Sequence, residues 1–163
     1  MTPVTPVWSC PCAFEARPSP RFPVRVRQIH FQDFRNLENQ VLDLGEGINL
    51  ILCENGQGKT NLLEALHVLA TLRSFRTSSL RELVRHESKQ AELRAAVESD
   101  DLPLNMRLRI DAKGRQLWLG EKVIRNVADY LGRLSVVAFT PDDLSMIKGA
   151  PSLRRRFLDR ACF

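Results

Sequence analysis

The stretch Ile48-Asn49-Leu50-Ile51-Leu52-Cys53-Glu54-Asn55-Gly56-Gln57-Gly58-Lys59-Thr60 decides the fold. Its first half is the near-continuous apolar run of a buried strand, expected over Ile48–Cys53. Its second half, Cys53–Thr60, matches the phosphate-cradling pattern G-x-x-x-x-G-K-[ST] at every fixed position except the first. Each part has a physical task. Gly56 and Gly58 let the backbone curl so that successive N–H groups face one anion. The helix that follows turns its free N–H groups and positive dipole end to the same phosphates. Lys59 supplies a point charge, and the Thr60 hydroxyl is a hard oxygen ligand for Mg²⁺. The remaining loop residues, Glu54, Asn55 and Gln57, complete the cradle through their backbone.

Cys53 departs from the pattern. If that position needed a positive φ, a side chain there would cost roughly 1–2 kcal/mol; on extended backbone it would cost little.

Working outward, the spacing of Leu62, Leu66 and Leu69 predicts an amphipathic helix from about Gly58 to Leu72, with Leu63 and Ala70 beside that face. Upstream, Val24–Gln32 and Asn39–Leu44 read as strands, although the alternation of the first slips phase between Val26 and Ile29. Downstream, Ala91–Glu98, Leu104–Ala112 and Gln116–Val123 read as successive strands, with a hairpin turn at Lys113-Gly114. A short helix over Asn126–Leu131 precedes a buried strand at Leu134–Phe139, a helix start at Pro141 and a basic helix from Pro151. These elements predict an α/β core carrying an antiparallel β insertion.

Residues 1–23 differ in character. Six of the nine prolines fall there, without apolar periodicity and without the basic start and apolar core of a signal peptide. They are expected to form a disordered leader or to reflect a mis-assigned start, leaving 24–163 as the ordered domain.

The chain has 163 residues and a net charge of +5, with a pI of about 9.4. A basic balance favours a polyanionic partner, because neutralising phosphates releases counterions. No stretch approaches the roughly 18 apolar residues of a membrane span, so no membrane partner is expected. The cysteines at 10, 12, 53 and 162 have neither zinc-ligand nor disulfide spacing, which favours a reducing cytoplasm.

A magnesium-binding acid should follow a buried strand at once. After Val136–Phe139, however, Thr140-Pro141 intervenes before Asp142-Asp143, an arrangement that suits helix capping better. The N-K-x-D guanine-reading motif is also missing. Lys148, Arg154, Arg155, Arg156 and Arg160 cluster near the end and could contact a phosphate backbone or simply form a solvated helix face.

Taken in order, Asp33-Phe34-Arg35-Asn36, the loop with Thr60-Asn61-Leu62-Leu63-Glu64-Ala65, Arg73-Ser74-Phe75-Arg76, Phe139-Thr140-Pro141-Asp142-Asp143-Leu144 and Arg155-Arg156-Phe157-Leu158-Asp159 resemble the RecF family of bacterial recombination proteins. The resemblance implies a P-loop NTPase lobe of the ABC/SMC-like head type, incomplete toward its C-terminus. It implies ATP with Mg²⁺ at Cys53–Thr60, Arg35 and Asn36 near the nucleotide, and an ATP-dependent homodimer in the full-length protein. It further implies DNA, single-stranded and gapped duplex, as partner, together with RecO and RecR. The implied role is to help load recombinase in recombinational repair, replication restart and the SOS response. Thr140 stands where related heads place a glutamine that contacts magnesium. The family's catalytic carboxylate and dimer signature lie beyond the residues present, so hydrolysis by this chain alone is expected to be negligible. Two other readings are a small P-loop phosphotransferase and an inert truncated fragment.

Overall fold

The computed structural model describes residues 24–99, 102–140, 143, 151, 152 and 155. Six strands form one antiparallel sheet: β1 (Val24–Phe34), β2 (Leu37–Asp43), β3 (Gln90–Ser99), β4 (Leu102–Asp111), β5 (Gly114–Leu119) and β6 (Lys122–Ile124), ordered β2-β1-β3-β4-β5-β6. Helix α1 (Lys59–Thr71) lies between β2 and β3 in sequence, and α2 (Val127–Tyr130) follows β6.

Alternation of side chains places Ile29 and Phe31 of β1, Leu93 and Ala95 of β3, Met106, Leu108 and Ile110 of β4, and Leu117 of β5 on one buried face. Cross-strand pairing makes rows of them: Phe31 opposes Leu93, which opposes Leu108, which opposes Leu117. Leu62, Ala65, Val68 and Leu69 of α1 belong to the same core cluster, so the helix closes this face. Its last turn is capped by Leu72 in the left-handed region, and Arg115 of β5 donates to the Leu72 carbonyl at 3.1 Å. On the opposite face, His30, Arg94, Arg107 and Trp118 occupy successive register positions, with the Arg107 guanidinium 4.6 Å from the Trp118 ring centroid.

The phase slip read in the first strand is a β-bulge between Val26 and Gln28, with Arg27 the extra residue. The segment expected as one strand over Gln116–Val123 is two strands. Leu119 pairs with Lys122 around Gly120, whose φ of 57° suits the first position of a tight turn. The preceding hairpin closes with Asp111 opposite Gly114, and the Asp111 carboxylate accepts from the Lys113 N–H at 2.7 Å.

Two expectations are corrected. Residues 48–53 form no ladder, and Ile48, Leu50 and Leu52 are exposed, with Ile48 at 98%. Residues 134–139 likewise form no ladder, and Val137 and Phe139 are exposed although Leu134 is buried. The apolar runs are real, but a parallel strand is buried only by neighbours on both sides, and no described strand pairs with either segment. Residues 1–23, Pro141, Asp142, Lys148, Arg154, Arg156 and Arg160 lie outside the described residues; Arg155 is exposed.

Candidate functional site

Residues 53–60 make an exposed turn that runs directly into α1. Gly56 has φ 85° and Gly58 φ 103°, the left-handed region in which a Cβ is strained. Gly58 is also the N-cap of α1, and it offers no side-chain cap. The first turn of the helix contains no acidic residue either. The opening N–H groups of α1 therefore meet neither a capping oxygen nor a repelling carboxylate, which leaves them suited to an outside anion.

The Lys59 ammonium is aimed by the loop itself, donating to the carbonyls of Cys53 and, at 2.9 Å, of Glu54. Thr60 is exposed. Cys53 carries a free, exposed thiol. It is not among the residues with positive φ, so a side chain at this position carries no left-handed strain.

The β1–β2 turn reaches the loop. Asn36 Nδ2 donates to the Gly56 carbonyl at 3.0 Å, whereas the Arg35 guanidinium turns away to Glu64. That turn is conformationally costly: Asp33 (φ 51°) and Arg35 (φ 54°) both adopt the left-handed region, each at roughly 1–2 kcal/mol. Backbone bonds hold it there, from Arg35 N–H to the Leu83 carbonyl (2.9 Å) and from Arg85 N–H to the Asp33 carbonyl (2.8 Å).

Sequence reading did not single out the role of Glu64, which is fully buried. Arg35 donates to it twice, Nε to Oε2 at 3.1 Å and Nη2 to Oε1 at 2.9 Å. Ser74 Oγ donates to Oε1 at 2.5 Å, and Arg76 Nη1 lies 3.4 Å from Oε2. The available signal was a lone acid among Leu62, Leu63, Ala65 and Leu66, one turn beyond Thr60. Removing one member of such a buried pair leaves an uncompensated charge and costs about 3–5 kcal/mol. One turn further, burial pushes the His67 imidazole below its usual value against the pull of Glu64.

At the far end, Asp143 Oδ2 accepts from the Thr140 N–H (2.6 Å) and hydroxyl (2.9 Å), while the Asp143 N–H returns to the Thr140 carbonyl at 3.0 Å. This is the local geometry of a helix start. Among the described residues no three His, Cys, Asp or Glu side chains converge as a metal cage. No helix among them is long and apolar enough to cross a membrane.

The family described as the RecF/RecN/SMC N terminal domain matches residues 25–146. The DNA replication and repair protein RecF of Lactobacillus acidophilus is 43% identical over 129 residues, covering 79% of this chain and 34% of that protein. RecF of Geotalea daltonii is 38% identical over 140 residues, covering 86% of this chain and 38% of that protein. The chain thus spans little more than a third of the length of these curated relatives.

Among solved structures, a recombination mediator protein RecF with ATP superposes with a TM-score of 0.76 at 33% identity, covering 88% of this chain and 39% of that one. A structure from work on ATP-driven dimerisation of SMC ATPases superposes with a TM-score of 0.68 at 20% identity, covering 82% of this chain and 97% of that one. The second likeness concerns the fold alone. The antiparallel sheet closed on one face by α1 is the fold of an SMC- and RecF-type ATPase head.

Proposed function

The chain belongs to the RecF/RecN/SMC N terminal domain family, and from that membership we propose that it is the ATP-binding lobe of a RecF-type DNA repair protein, residues 24–163 forming the lobe. The observation that carries the reading is the loop over residues 53–60, with Lys59 held on the loop's own carbonyls and an uncapped helix start beneath it. ATP would lie with its phosphates against the N–H groups of this loop and of the first turn of α1. Lys59 would leave its two carbonyls for the β- and γ-phosphates.

The exposed Thr60 at the start of α1 fits a magnesium ion carried largely by nucleotide and water. The ion would neutralise phosphate charge, with Thr60 holding it from the protein side. In the longer proteins of this kind, two heads would close on ATP, engage single-stranded or gapped duplex DNA in the cytoplasm, and act with RecO and RecR. The outcome would be recombinase loading during repair, replication restart and the SOS response. The net charge of +5 supports a polyanionic partner.

Titration of the 163-residue protein with the fluorescent nucleotide Mg·mant-ATP tests the site. Saturable binding that Lys59→Ala removes is expected; equal binding by both proteins would refute the phosphate cradle. Binding to gapped DNA that weakens steeply with salt is expected of the repair reading. Phosphoryl transfer to a small acceptor without salt-sensitive DNA binding would instead identify a phosphotransferase.

A further inference from the structure

Three side chains connect the buried Glu64 carboxylate to a backbone carbonyl of the loop. Arg76 Nη1, 3.4 Å from Glu64, donates to Asn61 Oδ1 at 2.7 Å. Asn61 Nδ2 donates to Asn36 Oδ1 at 2.7 Å, and Asn36 Nδ2 donates to the Gly56 carbonyl at 3.0 Å. Arg35, the chain neighbour of Asn36, returns to Glu64 through its bidentate pair, which closes the ring.

The ring has a direction. A guanidinium can only donate, so Asn61 must present its oxygen to Arg76 and its NH₂ to Asn36. Asn36 must then present its own oxygen to Asn61 and its NH₂ to Gly56. The orientation of both amides is therefore set by Arg76, and Arg76 is anchored by Glu64.

We propose that Glu64 is a positioning residue for nucleotide binding, acting through this ring to hold the Gly56 peptide with its carbonyl turned outward. The inference rests on the reading of residues 53–60 as the phosphate cradle. In a trans peptide the C=O and N–H point in opposite directions. Fixing the Gly56 oxygen on Asn36 therefore turns the Gln57 N–H to the inner side of the loop, where its contact with the Glu54 carbonyl is long, 3.4 Å. That N–H is thus presented toward an anion before one arrives, which lowers the ordering cost of binding. The charge arithmetic agrees: two guanidiniums face one carboxylate, so the acid beside the cradle does not repel phosphate.

The test is a double-mutant cycle in the 163-residue protein, read as the Kd for Mg·mant-ATP together with the melting temperature. Asn36→Ala and Glu64→Gln should each weaken binding about tenfold, the loss of one oriented donor. The double variant should be scarcely weaker than either single one, because both break the same ring. Asn36 is exposed in part, so Asn36→Ala should leave the melting temperature unchanged, which separates positioning from stability. If Glu64→Gln does not fold, Arg76→Ala on its half-exposed side chain takes its place in the cycle. Wild-type binding by Asn36→Ala while Lys59→Ala loses it would overturn the inference and leave the cradle standing. Independent losses that multiply to about a hundredfold would overturn it too. If Lys59→Ala itself binds as wild type, the cradle fails and the inference with it.

Discussion

Gly58 and Asn36 are packed so closely that a Cβ on Gly58 would stand 2.8 Å from Asn36 Oδ1, and equally close to Leu37 Cδ2. Gly58→Ala must therefore displace the Asn36 and Leu37 side chains while straining a backbone at φ 103°. The expected cost is about 1–3 kcal/mol of stability, with loss of nucleotide binding. Gly56 has nothing within 4 Å of its Cβ position, so Gly56→Ala should show the strain alone and the milder defect. Thermal melts and mant-ATP titrations of the two variants side by side decide the ranking; equal defects would deny Asn36 its part.

Cys53 stands where the motif calls for glycine, yet its backbone is not left-handed. Cys53→Gly should therefore leave the Kd for ATP within about twofold of wild type, since no strain is released. Its exposed thiol also reports on the site. Mg·ATP should slow maleimide labelling of Cys53, with Cys10, Cys12 and Cys162 as internal controls by peptide mass mapping. Tightening of several-fold in the glycine variant would show that the bound loop demands a conformation different from this one.

Glu92 gives the sheet a contribution to stability that acid removes. It is nearly buried on β3, and burial alone would push its carboxyl up. Hydrogen bonds and charge from Arg107 and Arg94 outweigh that and hold it below the ordinary value of 4.5. The unfolded chain thus takes up this proton at higher pH than the folded one. The stabilisation is complete above about pH 4.5 and is lost as the pH falls through the lower folded value. The urea midpoint of the wild type should be lower below pH 4 than at pH 7. In Glu92→Gln the pH 7 midpoint should be lower and the acid drop smaller; an identical drop would place the acid sensitivity elsewhere.

Tyr130 ends α2 fully buried, and among the described residues its hydroxyl has no hydrogen-bond partner. Burial also raises its pKa far above the usual phenol value. Tyr130→Phe should remove a desolvated donor at no packing cost and stabilise the lobe by about 1 kcal/mol. A destabilised variant would show that the hydroxyl is satisfied after all.

Much of this was legible in the sequence because it depends on local pattern. The bulge at Arg27 appeared as a phase slip, and α1 as leucines at helical spacing. The β5–β6 turn was harder, because Gly120-Glu121 sits inside a run that otherwise continues as strand. The segments at 48–53 and 134–139 were misread for a different reason: hydrophobic pattern reports what a segment needs, and burial depends on which strands are there to meet it. The ring was invisible because its members are spread over three segments and brought together only when the β1–β2 turn folds over the loop. Resemblance alone points to Asn36, and a lone acid among leucines hints that Glu64 is buried without showing which arginines meet it.

Bare Ile48, Leu50 and Leu52 have a practical consequence for anyone handling the protein. An extended apolar segment with open backbone groups invites intermolecular strand pairing, so solubility should limit purification well before thermal stability does. Leu50→Lys should raise the concentration at which light scattering first appears while leaving the melting temperature in place, because Leu50 contributes nothing to the sheet's buried core.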